Sequence, residues 1–223
     1  MDKKLFFQAI IKYFLGLILV FILLFIPAWD LSYWNGWLFI GLLFIPMFIA
    51  GIFLMFKNPE LLRKRLNAKE KEKDQKEVLA FSGIMFVLGF IIAGLNYRYS
   101  WIELPNFVVV ISSVIFIISY IIYAEVLREN EYLLRTIEVE ENQKVVDTGL
   151  YGFVRHPMYL ATIFLFLSIP LILGSIISFV IFLIYPILLI KRIKNEEKVL
   201  EKDLKGYTEY MKKVKYRLLP YIW

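Results

Sequence analysis

Long uncharged runs alternate with short, densely charged ones along the chain. Crossing about 30 Å of hydrocarbon takes about 20 apolar residues in a helix, and residues 5–26, 34–56, 78–97 and 105–124 each supply such a run. A further uncharged stretch, 157–190, holds 34 residues; as one straight helix it would reach about 50 Å and overshoot the bilayer. It must bend, and the pattern predicts the break at Pro170 and at the pair Gly174-Ser175, because proline removes a helix donor and glycine tolerates the turn. The arms of the resulting hairpin are expected over 157–173 and 176–190, followed by a polar tail over 191–223. The first run, interrupted only by Gln8 and Lys12, is read as a retained span, because it is long and no small-x-small cleavage site precedes the aromatic segment from Trp29 to Trp37. The pattern predicts an all-α, polytopic membrane helix bundle with a C-terminal helical hairpin, organised as a single integral membrane domain over 1–223.

Composition agrees with bilayer as the solvent: of 223 residues, 60% are hydrophobic and 21% charged. The distribution of the cations adds orientation. Three basic residues lie in or beside the N-terminus, eight over 57–76, four over 128–155 and ten over 191–217, leaving Arg98 alone on the other side. Lysine and arginine collect on the cytoplasmic side of a membrane, so both termini, the tail and any pocket built there are expected in the cytoplasm, with the plasma (inner) membrane as the expected location. Trp29, Tyr33, Trp34, Trp37, Tyr97, Tyr99 and Trp101 fall at the opposite ends of the runs, where amphipathic rings favour the headgroup layer. The net charge of +6 is interleaved with Asp and Glu beside the spans, which points to membrane lipids as partners and not to nucleic acid. The segment 57–77 opens with the turn signal Asn58-Pro59 and reads as a surface helix or mobile loop. Gly83, Gly89 and Gly94 are expected to permit close helix packing, and Glu125 to be paired or at the surface. With no cysteine and one histidine, His156, the chain has neither a thiolate nucleophile nor the residues of a multi-histidine metal centre.

Candidate chemistry concentrates where the polar loop enters the last apolar stretch. Residues 148–160 read TGLYGFVRHPMYL. Pro157 suits the first turn of a helix and pushes the residue before it out of helical geometry, so His156 is held extended beside unsatisfied backbone N–H groups, a favourable place for an anionic or ribose group. Directly after the hairpin, KRIKNEEKVL puts Arg192 and Glu196 four residues apart on one helical face. Because the hairpin folds back, His156 and Tyr159 should face Arg192 and Glu196 across a cleft.

The ordered set Gly149, Tyr151, Arg155, His156, Pro157, Tyr159, then a hydrophobic hairpin, then Arg192, Glu196, Glu197, Leu200, and finally Gly206, Tyr207, Tyr210 resembles the pattern of the isoprenylcysteine carboxyl methyltransferases. The resemblance covers about ninety residues from Glu129 onward and departs at Leu150 and Ala161, where proline and glycine are common. It implies a site for S-adenosyl-L-methionine: Val145, Val146 and Tyr151 along the nucleoside, His156, Pro157, Met158 and Tyr159 holding the cofactor, Glu196 hydrogen-bonding it, and Arg192 facing the acceptor. Arg192 and Glu196 are then the catalytic candidates. The implied reaction is methyl transfer to a carboxylate of a lipophilic, isoprenylcysteine-like acceptor. The alternative, N-methylation of a phospholipid or other lipid amine, would instead need Glu196 or Glu197 as base. Two further alternatives stay open, an NADPH-dependent reductase related to sterol reductases, which carry a similar R-H-P-x-Y ending, and a non-catalytic membrane protein. Oligomeric state has no signature in the chain.

Overall fold

The computed structural model describes residues 3–66, 73–130, 132–133, 139 and 142–223. They form α1 (Lys3–Ala28), α2 (Trp34–Lys57), α3 (Pro59–Leu66), α4 (Lys73–Tyr99), α5 (Asn106–Glu129), α6 (Pro157–Ile172), α7 (Ile176–Phe182), α8 (Ile184–Asp203) and α9 (Tyr207–Lys213), with no strand among the described residues. α1, α2, α4, α5 and the combined run Ile176–Asp203 are long and apolar enough to cross a membrane, and the shorter α6 is apolar throughout. This is a polytopic helical membrane bundle. The helices alternate in direction, so the bundle has a basic end and an aromatic end.

Hydrogen bonds fix which termini share an end. At the aromatic end, Tyr33 Oη donates to the Leu173 carbonyl (2.6 Å), Asn35 Nδ2 to Ile172 (2.8 Å), and Asn96 Nδ2 to Ile102 (3.0 Å) and Gly174 (3.4 Å). These side chains satisfy carbonyls that the α6 C-terminus leaves open. At the basic end, Lys12 Nζ donates to the Leu66 carbonyl (2.5 Å), and Lys191 Nζ pairs with Glu77 Oε2 (2.8 Å). Glu125 pairs with Arg128, Nε to Oε2 at 2.8 Å.

The hairpin bends, but Pro170 is not its hinge. α6 runs through Pro170 to Ile172. It then ends in a two-bond glycine cap: Gly174 N–H donates to the Leu171 carbonyl (3.1 Å) and Ser175 N–H to Pro170 (2.9 Å), with Gly174 at φ +75°. A left-handed residue closes such a cap, and glycine has no Cβ to oppose it. Ser175 then starts α7 by accepting the Ser178 N–H on its Oγ (3.2 Å). Pro170 is tolerated inside the helix because surrounding helices and local adjustments compensate for its missing donor. A second interruption at Leu183 divides the returning arm into α7 and α8, and α8 continues through the expected tail to Asp203. The expected surface segment becomes α3, folded after Asn58, whose Oδ1 accepts the Leu61 N–H (3.0 Å); residues 67–72 lie outside the described ones.

Association between membrane helices rests on close fit, since lipid is as apolar as the side chains. A Cβ at Gly94 would stand 2.5 Å from the Leu24 carbonyl oxygen of α1, and one at Gly89 would stand 2.3 Å from the Phe182 ring. Ser178 Oγ donates to the Gly89 carbonyl across that contact (2.8 Å). Gly83 differs from expectation: nothing lies within 4 Å of a Cβ placed there, so it mediates no packing. Phe39, Phe90, Phe116 and Phe182 fill the centre of the bundle. Tyr33, expected in the headgroup layer, is buried because its hydroxyl caps the hairpin turn. A smaller apolar cluster of Leu204, Tyr207, Tyr210 and Val214, joined by Val145, Leu200 and Met211, lies apart from the bundle core.

Candidate active site

The loop leading into α6 is tied down along its length. Gly149 begins a 3₁₀ turn, Gly149–Gly152, at φ +55°, and a Cβ there would fall 1.8 Å from Glu129 Oε1. The Glu129 carboxylate accepts the Leu150 N–H (2.9 Å to Oε2), so only glycine permits this approach of loop to α5. Tyr151 is buried, with Asn130 Nδ2 donating to its hydroxyl (3.0 Å) and Tyr210 Oη donating to its carbonyl (2.8 Å). Lys213 Nζ reaches Asp147 Oδ2 (2.7 Å), and its hydrogen bond, helped by its charge, holds that exposed carboxyl below the usual range.

Next, the chain's tail pairs with the loop. Arg155 N–H donates to the Tyr216 carbonyl and His156 N–H to Arg217, both at 2.9 Å. Glu197 lies behind this pairing, 4% exposed, and accepts from Arg155 Nε (2.7 Å), Arg217 Nε (2.7 Å) and His156 Nε2 (3.2 Å). A carboxylate only accepts, so the His156 proton resides on Nε2. Arg155 also donates to the carbonyls of Val214 and Lys215, each at 2.8 Å. The buried charges are thus mutually satisfied, the condition under which such a cluster is tolerated.

Pro157 occupies the first turn of α6, with His156 as the residue before it at φ −127°, ψ 61°. One helical turn on, the Tyr159 hydroxyl donates to Glu196 Oε2 and accepts from Arg192 Nε (2.8 Å). The two ends of the bent segment therefore meet at the basic end.

A pocket of about 810 Å³, counted with its open mouth, lies where loop, hairpin ends and α9 converge. Val145, Val146 and Tyr151 line one wall, His156, Met158 and Tyr159 another, and Arg192 and Glu196 a third. Pro157 is buried behind the lining and acts on it only through the helix start. Asn130 also lines it, as do Gln143, Lys144, Leu204, Tyr207 and Tyr210; the G-Y-x-x-Y segment was the available signal for the two tyrosines. Glu197, weighed as a base, is not part of the lining and is taken up by its three donors. That Arg155 and Arg217 join it had no local signal.

The lining suits a nucleoside that carries an amino-acid group. Leu133, Val145, Met158, Leu200 and Leu204 offer apolar surface, and Glu196 offers an acceptor. Burial pushes the Tyr151, Tyr207 and Tyr210 hydroxyls above the ordinary phenol range, so all three stay neutral. Tyr207 Oη is buried without a protein partner, although Tyr207 lines the pocket. Orphaned buried hydroxyls are rare and costly, and a polar ligand in this space would supply the missing bond.

Fold and site together define a membrane-embedded helical bundle with a partly open pocket at its basic end. Residues 115–202, from the middle of α5 to the end of α8, match the isoprenylcysteine carboxyl methyltransferase (ICMT) family, which bears out over that stretch the resemblance read from the motifs and supports a membrane methyltransferase. A Delta(14)-sterol reductase of Mus musculus is 32% identical over 93 residues, 40% of this chain and 22% of the reductase. The chain thus matches about a fifth of that relative's length.

Proposed function

We propose that the chain is an S-adenosyl-L-methionine-dependent methyltransferase acting on a carboxylate of a lipophilic, isoprenylcysteine-like membrane acceptor. One observation carries the reading: Tyr159, Arg192 and Glu196 are hydrogen-bonded together in the wall of a pocket that also holds an unpartnered buried hydroxyl. When bound, the cofactor supplies an electrophilic sulfonium methyl. Val145, Val146 and Tyr151 flank its nucleoside, His156, Met158 and Tyr159 hold it from the α6 start that Pro157 fixes, and Glu196 accepts its hydrogen bonds.

Arg192 positions the acceptor. Its guanidinium lines the pocket with Nε donating to the Tyr159 hydroxyl, a place from which it can meet an acceptor carboxylate. A carboxylate is already ionised at neutral pH and needs no base. Alignment of nucleophile and methyl can then account for several kcal/mol of barrier lowering. An amine acceptor would need Glu196 to take its proton, Glu197 being committed to its cationic partners. By the positive-inside rule the basic end, with the pocket, faces the cytoplasm of the plasma membrane, and residues 1–223 work as one integral membrane unit.

The alignment with the sterol reductase supports a second reading, an NADPH-dependent oxidoreductase. The cations of the lining weigh against it. Among the described lining residues, Arg155 is already held by Glu197 and two carbonyls, so Arg192 and Lys144 are the basic side chains that a cofactor phosphate could meet.

Calorimetry on detergent-solubilised protein separates the readings. S-adenosylhomocysteine is expected to bind and NADPH not to. Glu196→Ala should weaken S-adenosylhomocysteine binding roughly tenfold, the loss of one charge-assisted hydrogen bond, whereas Arg192→Ala should keep binding and lose methyl transfer. NADPH binding without S-adenosylhomocysteine binding would reverse the assignment.

A further inference from the structure

The last ten residues, 214–223, form a strap with two dissimilar sides. A backbone oxygen of Trp223 accepts the N–H groups of Arg217 (2.9 Å), Leu218 (3.1 Å) and Leu219 (3.3 Å), closing a ring of backbone, and the Arg217 guanidinium lies 5.3 Å from the centre of the Trp223 indole. Leu218 is buried in the bundle core and Trp223 packs against it. The other side of the ring is apolar yet uncovered: Tyr221 is 89% exposed, Ile222 78% and Leu219 39%, with Pro220 between them. Tyr221 takes φ +67°, an uncommon value for a bulky residue, and the closed ring holds it there.

We propose that the tip 219–222 is a membrane-inserting loop that seats the strap in the headgroup layer of the bilayer at the basic end. Its depth follows from its attachment. The strap pairs with Arg155 and His156, immediately before Pro157 where α6 begins. The tip is therefore attached at the level where the polar loop enters the apolar stretch of α6. Its residues suit that layer: a tyrosine with an apolar body and polar end, next to isoleucine, leucine and proline. Lys212 and Lys215, both exposed just upstream, complement anionic headgroups. Arg217, in the same ring, is a ligand of Glu197, so the lipid-seated tip and the clasp beneath His156 are one rigid piece. This inference stands apart from the methyltransferase reading and concerns where the strap lies.

The chain contains no cysteine, so Ile222→Cys gives a single labelling position at an exposed site. The full chain, labelled there with an environment-sensitive nitrobenzoxadiazole and reconstituted in phosphatidylcholine–phosphatidylglycerol vesicles, should be quenched by doxyl lipid spin-labelled near the headgroup. Iodide should quench it several-fold less than the same label at Lys205→Cys, an exposed position in the turn before α9. Equal access of iodide to both positions would overturn the proposal. Shielding of the 222 label from both quenchers would also overturn it, by showing the tip covered by protein.

Discussion

Glu197 sits under two guanidinium groups and an imidazole with almost no exposure to water. Removing it leaves the buried Arg155 guanidinium without its anion, an effect of about 3–5 kcal/mol for a broken buried pair. Glu197→Ala should lower the thermal midpoint of the detergent-solubilised protein markedly, and Glu197→Gln, which keeps the shape and one acceptor, should lower it less. Tyr207 should behave in the opposite sense. Its hydroxyl is buried and unpartnered, so Tyr207→Phe should leave the ligand-free midpoint unchanged or raise it. The same change should weaken S-adenosylhomocysteine binding by about 0.5–1.5 kcal/mol, roughly two- to tenfold. A fall in stability with unaltered binding would show that the hydroxyl has no part in ligand recognition. His156 and Tyr159 were legible because Pro157 marks the helix start beside them, and Arg192 and Glu196 because charge sets in where the apolar run within α8 ends. The clasp was not, because Glu197 takes its partners from positions 41 and 42 residues before it and 20 after it, and only the folded strap brings them together.

Elements were legible where length decides and less so where a turn decides. The four long runs became α1, α2, α4 and α5, each extended by a few polar residues that the hydrocarbon does not need to cover. The hinge was placed in the right neighbourhood and assigned partly to the wrong residue, since a proline close to a helix end and a glycine just past it give the same sequence signal. Gly174→Ala should therefore destabilise the hairpin by about 1–2 kcal/mol through the left-handed conformation alone. Glycines within α4 divide by what they touch. Gly94→Ala meets backbone of α1 and should cost about 1–3 kcal/mol by overpacking. Gly83→Ala meets open space and should be neutral or stabilising by about 0.5–1 kcal/mol through helix propensity. Unfolding in mixed micelles under increasing denaturing detergent reads all three on one scale.

For the whole molecule, the alternation of charge and apolar length was enough to read a membrane bundle, because a bilayer imposes a fixed thickness on every span. It also gave a sidedness that labelling can check. In intact cells expressing the chain, a membrane-impermeant maleimide should modify Tyr99→Cys at the aromatic end and leave Lys202→Cys at the basic end unmodified until the membrane is opened. The pocket was legible only as a meeting of two segments. Its far wall comes from α9 and from Asn130, and the size and floor of the space depend on the small cluster around Leu204, Tyr207, Tyr210 and Val214.

That cluster is separate from the packing inside the spans. Lifting α9 away from the mouth would break the exposed Lys213–Asp147 ion pair, the buried Tyr210–Tyr151 hydrogen bond and the contacts of this small cluster, without parting the packing of the bundle core. On the proposed methyltransferase reading, a spent nucleoside would therefore leave through water on this side, with the packing between the spans undisturbed.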